Sequence, residues 1–140
     1  MKMGWFIYAI IAMVALTINF LLIKKILNLG IRSEIVLIYI FGISAIIILI
    51  YSVSTKASIN ISRYVFLFIL LAAIFAIIGN FFLFKSMGIS PNPGYALAVS
   101  GVHILLVAIA SIFIFKSDFS LVKGVGVILA VIGIILLGWE

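Results

Sequence analysis

The sequence predicts an all-α integral membrane protein with five transmembrane helices, and three observations lead there. Of 140 residues, 68% are hydrophobic and 9% are charged, whereas an ordinary soluble domain is roughly 45–50% apolar and about a quarter charged. The apolar residues gather into five runs, over 5–23, 35–53, 64–84, 95–115 and 121–138. Each is close to the ~20 residues that a helix rising 1.5 Å per residue needs to cross a hydrocarbon core about 30 Å thick. None alternates polar and apolar residues as a barrel strand does, and only helices and closed barrels satisfy their backbone groups in lipid.

The first run follows Lys2 and so resembles a signal peptide at its start. Its apolar length continues through Leu21-Leu22-Ile23, past the 7–15 residues of a signal core, and no small-residue cleavage site follows. It reads as a spanning helix, with Trp5, Tyr8, Ala12, Ala15 and Asn19 on one face. LNLGIRSE leads to the second run; Gly30 suits a helix C-cap and Ser33 the N-cap of the next helix. The second run offers Tyr39, Gly42 and Ser44 for contact with a neighbouring helix. After STKASINIS, the third run puts Ile69, Ala73, Ala76 and Asn80 on one face, small or polar apart from Ile69.

KSMGISPNPG contains both prolines, Pro91 and Pro93, just ahead of the fourth helix, where a missing N–H costs nothing. That helix, YALAVSGVHILLVAIASIFIF over 95–115, holds the only histidine of the chain. At 100° per residue Ala96, Ser100, His103, Val107 and Ser111 fall within an arc of roughly 80°, so Ser100, His103 and Ser111 form one polar stripe. KSDFS then supplies Ser117 or Asp118 as a cap for the fifth helix. In GVGVILAVIG, Gly126, Ala130 and Gly133 make a small-residue seam that permits close backbone approach, within one chain or between two. The linkers are too short to fold separately, so residues 1–140 read as one transmembrane domain with no soluble part.

The net charge of +6 comes from seven lysines and two arginines against three acids. The cations sit almost wholly at helix ends, where they meet lipid head groups, so the charge points to membrane lipids and not to nucleic acid. Lys2, Lys56, Arg63, Lys116 and Lys123 fall on one side of the membrane, and Lys24, Lys25, Arg32 and Lys85 on the other. Five against four does not fix an orientation by the positive-inside rule. Either the chain inserts in both directions, or a weak bias with Lys2 keeps the N-terminus in the cytoplasm.

Cysteine is absent, which removes disulfides, thiolate metal sites and cysteine nucleophiles. There is no carboxylate pair, metal-ligand cluster or phosphate loop, so neither an enzyme nor a cofactor or metal is expected. Polar residues inside spans are costly and mark function more often than elsewhere. The candidate substrate-binding residues are therefore His103, Ser100, Asn80, Asn19, Tyr8 and Trp5, on faces of the first, third and fourth helices that look like walls of a common interior. Each has a structural alternative. Ser100 and Ser111 can bond the carbonyl one turn back, Asn19 and Asn80 can join helices, and His103 can be a neutral ring satisfied by a neighbouring serine or carbonyl.

The stretch from GNFFLFKSMG through NPGYALAVSGVHILLVAIASIFIFKSDFSLVKGVGVILAVIGIILLG resembles the C-terminal part of an EamA-like repeat of the drug/metabolite transporter superfamily. The pattern is a helix ending near a short loop, a long small-residue helix, an acid-plus-serine turn (Asp118, Ser120) and a glycine-rich last helix. NFLLIKKIL after the first helix also resembles the family. Typical members have two repeats and ten helices, so one repeat implies that two copies pair. The turn acid is usually glutamate and here is Asp118. The four-helix multidrug exporters of the superfamily carry an essential glutamate in their first helix, where this chain has only Asn19 as a strongly polar side chain.

The resemblance implies a secondary transporter or exporter of a small metabolite or organic compound, in a prokaryotic inner membrane, working as a homodimer. The antiparallel arrangement is the simplest. A lipid or polyprenyl-phosphate flippase, or a lipid-binding membrane assembly subunit, is the second reading.

Overall fold

A computed structural model of the chain describes residues 4–116 and 121–137, the side chains of Trp5, Phe6, Leu121, Lys123, Val127, Ile135 and Leu137 excepted. The described residues are helical with short connections and contain no strand. They form two compact units, the first ending at Ile89 and the second beginning at Ser90.

The first unit is a bundle of α1 (Gly4–Asn28), α2 (Ser33–Ser54) and α3 (Arg63–Ile89), in which each helix packs on the other two. α1 stops at a tight turn in which Gly30 adopts φ +83° and donates its N–H to the Leu27 carbonyl at 3.0 Å, a left-handed conformation that favours glycine. The N-cap of α2 is Arg32, in extended conformation and without a side-chain cap bond; Ser33 is already helical. The expected serine cap is thus not formed, and Arg32 makes an ion pair with Glu34. The carboxylate stands in the first turn of α2, where the helix dipole favours an anion.

The core of this unit sits at one end, where α1 finishes, α2 starts and α3 finishes. Ile23, Val36, Leu37, Phe84 and Met87 are buried there, Met87 completely. Lys24 belongs to this end in a way that its reading as a topology charge did not anticipate. Its Nζ donates to the Met87 carbonyl at 2.7 Å and the Gly88 carbonyl at 3.4 Å, two of the last α3 carbonyls, which have no helical N–H to receive. A cation there also offsets the negative end of the helix dipole. Lys24→Met is expected to destabilise the protein by about 1.5–3 kcal/mol, the range of a hydrogen bond to a charged group. Lys25→Met, whose side chain is exposed next door, should leave the melting temperature in detergent unchanged; equal effects of the two would make the loss one of general charge.

The second unit contains α4 (Pro93–Ser100), α5 (His103–Phe115) and α6 (Leu121–Leu137), with α4 packed against α6. Asn92 caps α4, its Oδ1 accepting the Gly94 N–H at 2.8 Å, and Pro93 takes the first helical position. The single helix expected over 95–115 is thus two helices with a break at Gly101 and Val102. Asp118 and Ser117, the expected cap of the last helix, and Ser120 lie outside the described residues, as does Lys2.

Three helices, Ile7–Asn28, Ser33–Ser54 and Arg63–Ile89, and the α4–α5 pair over Pro93–Phe115, are long and apolar enough to cross a membrane. α6 has 17 residues, about 26 Å of helix, at the lower limit for a span. Large apolar side chains are exposed along the spans, Ile47 at 60% and Phe75 at 70% among them. Such faces are stable only against lipid or another apolar surface.

Candidate functional site

The break in the fourth run is the one irregular backbone within a spanning segment among the described residues. Gly101 (φ −59°, ψ −16°) and Val102 (φ −54°, ψ −28°) have the shallow ψ of a 3₁₀ turn. The hydrogen bonds tighten accordingly. Val102 N–H reaches Val99 at 3.3 Å, Ile104 N–H reaches Gly101 at 3.0 Å and Leu105 N–H reaches Val102 at 2.9 Å, each three residues back and not four. A Cβ added to Gly101 would lie 3.1 Å from the Ala98 carbonyl oxygen and 3.2 Å from that of Leu97. Those neighbours are backbone, so a side chain here would need the turn to relax by a few tenths of an ångström, although its φ is one that any residue adopts. A mid-helix 3₁₀ stretch often marks a hinge, and in membrane transporters broken helices frame binding sites because their backbone polar groups must line a cavity or be buried in protein.

His103 stands at this break. Its Nδ1 is 2.6 Å from the Ser100 carbonyl oxygen, a group that the tightened turn has turned away from the helical ladder. A carbonyl oxygen only accepts, so Nδ1 carries the hydrogen of this contact, and in the tautomer with a single N–H it is Nε2 that accepts. The ring is exposed. The sequence alternative of a histidine tied to a nearby carbonyl is therefore half realised: one nitrogen is engaged within the turn, and Nε2 is left to face outward.

The other candidates divide by unit. Ser100, half-buried, donates its Oγ to the Leu97 carbonyl at 3.0 Å, and Ser111 donates to Ala108 at 2.9 Å; both follow the back-bonding pattern of serine in helices. Asn80 does the same through Nδ2 to the Ala76 carbonyl at 2.8 Å, which leaves its Oδ1 as an acceptor. Asn19 is half-buried, and Tyr8 is 75% exposed. Both lie in one uninterrupted helix, eleven residues and hence about 16 Å apart along its axis. Trp5 lies in the first turn of α1, its side chain outside the described residues. Trp5, Tyr8, Asn19 and Asn80 belong to the first unit, Ser100 and His103 to the second.

On α6 the expected seam is open within its own unit. Among the described residues a Cβ at Gly126 or Gly133 would meet nothing within 4 Å, and Ala130 is exposed.

Ala73 and Ala76, expected to wall an interior, line a groove between α2 and α3 with a volume of about 510 Å³. Its far wall is Leu37, Ile38 and Phe41, and at its end a second hollow of about 360 Å³ is lined by Arg32, Ser33, Glu34, Phe81 and Lys85. Sequence reasoning missed this groove; the signal available was the pair of alanines opposite a large apolar stretch. Among the described residues no cluster of His, Cys, Asp or Glu could hold a metal ion.

Residues 3–139 match the EamA-like transporter family. No curated protein and no solved structure matches the chain.

Proposed function

Because this chain belongs to the EamA-like transporter family, we propose that it moves a small metabolite or organic compound across a prokaryotic inner membrane as an antiparallel homodimer. It is a single EamA-like domain of the drug/metabolite transporter superfamily, a helical integral membrane protein, and members of the family are transporters and not enzymes.

The observation that carries the proposal is the helix break with His103 on it. A polar, exposed ring at irregular backbone inside an apolar span is costly against lipid and useful against a polar solute. Nε2 accepts an N–H or O–H of the substrate, and Ser100 and Gly101 hold the turn that aims the ring. Asn19 and Asn80 supply further polar contacts, and Tyr8 with Trp5 receives an apolar or cationic part. The distance of about 16 Å between Tyr8 and Asn19 along α1 fits contacts made at successive stages of passage.

A single repeat, near-balanced loop charge and an open seam on α6 support two inverted copies that exchange roles in alternating access. In proteoliposomes the purified protein should carry a soluble solute down its gradient, and tags on both termini should be accessible from both sides. Tags confined to one side each in every molecule would exclude the antiparallel dimer while leaving a parallel one. Absence of solute flux across a broad panel of metabolites and organic cations would count against transport.

A further inference from the structure

We propose that the groove between α2 and α3 binds one phospholipid of a single leaflet, its acyl chain among the apolar walls and its phosphate on Lys85 and Arg32.

The dimensions suit a lipid of one leaflet. The groove runs from Glu34 to Phe41 on α2 and from Phe82 back to Ala73 on α3, seven and nine residues, or about 10 and 14 Å. Half of a hydrocarbon core about 30 Å thick is about 15 Å. It begins at the charged end of the helices and ends near the depth at which an acyl chain ends. Apart from Glu34 its walls are Leu, Ile, Phe and Ala, and its volume of about 510 Å³ lies within the roughly 300–1,000 Å³ of pockets that hold small molecules.

The chemistry at the mouth selects the head group. Arg32, Ser33, Glu34 and Lys85 line it, a net charge of +1 from two cations and one carboxylate, opposite to that of a phosphodiester. Arg32 is held by its ion pair with Glu34, whereas Lys24, at the same end, is turned to the α3 carbonyls. Lys85 and the paired Arg32 are the two cations lining the mouth, and basic pockets between transmembrane helices bind lipid phosphates. Glu34 beside them accepts hydrogen bonds, which suits a head group carrying hydroxyl or ammonium donors next to its phosphate, such as glycerol, and disfavours choline, which has none. The lipid is a structural ligand that stays in its leaflet, and the inference does not rest on the transport reading.

The test is native mass spectrometry of the full-length protein released from micelles with equal phosphatidylglycerol and phosphatidylcholine. One phosphatidylglycerol should be retained in several-fold preference. Lys85→Gln should reduce that retention several-fold, and Ala76→Phe, which fills the groove without touching the charges, should reduce it too. Lys25→Gln, a charge change at the same end but off the mouth, should leave it intact. Equal retention of the two lipids, or equal losses in Lys25→Gln and Lys85→Gln, would overturn the proposal. So would retention unchanged in Ala76→Phe, which would mean that the phosphate binds without its chain, or a change of oligomeric state in that variant, which would mean that a second copy fills the groove. Melting temperatures of each variant separate loss of lipid from loss of fold.

Discussion

His103→Ala is expected to lower solute flux by about 10- to 100-fold at matched expression. That is the range given by losing one hydrogen bond of about 1.5–3 kcal/mol to a polar or charged substrate group. The alanine removes both the contact from Nε2 and the bond from Nδ1 to the Ser100 carbonyl, so the turn loses its side-chain partner as well. Glutamine reaches the carbonyl with its amide N–H and offers an oxygen to substrate, so His103→Gln should recover part of the flux if hydrogen bonding is the role. His103 is the only histidine in the chain, so proton coupling through an imidazole would have to use it. Loss in both variants together with loss of pH dependence would identify that coupling. Wild-type flux and pH dependence in both would make the histidine structural.

Leucine at Gly126 or Gly133 is expected to break the dimer. Neither glycine has a neighbour within 4 Å of an added Cβ among the described residues, so a larger side chain is expected to leave the monomer fold intact. Between two copies it would separate the helices that the small residues let approach. Overpacking of a close contact costs about 1–3 kcal/mol, which is about a 5- to 150-fold loss in the dimerisation constant. Cross-linking yield and size in detergent read it directly, and flux should fall in proportion to dimer. If both variants remain dimeric and active, the contact lies elsewhere, and α2, with Tyr39, Gly42 and Ser44, becomes the candidate.

Much of the fold was legible because the bilayer simplifies the problem. Spans follow from length and composition alone, and the turn at Gly30 follows from a residue with one strong backbone preference, whereas α4 starts at Pro93, two residues before the start expected at Tyr95. The break in the fourth run was not legible. Glycine is ordinary in membrane helices, and a single tightened turn leaves the apolar character of YALAVSGVHILL unchanged; only the crowding of Gly101 against the Ala98 and Leu97 carbonyls reveals it. The back-bonding of Ser100 and Ser111 follows from residue type, whereas Asn80, read as a residue that joins helices, bonds the Ala76 carbonyl of its own helix, and the side chain of His103 could have gone to any carbonyl within reach. Lys24 illustrates the same limit. Its place at a helix end is a sequence fact, but its bonds to Met87 and Gly88 depend on where α3 stops relative to α1. The α2–α3 groove depends likewise on helix register, which charge and periodicity do not encode.

The measurement closest to the central claim is the nitrogen NMR spectrum of His103. It is the only histidine in the chain, so protein labelled with ¹⁵N-histidine reports one imidazole. At a pH where the ring is neutral, the account predicts a protonated Nδ1 and an unprotonated Nε2. It also predicts that a primary organic ammonium or alcohol that is carried will shift Nε2, while its donor-free methylated analogue will not. A neutral ring protonated at Nε2, or an Nε2 signal indifferent to every solute the protein carries, would contradict it.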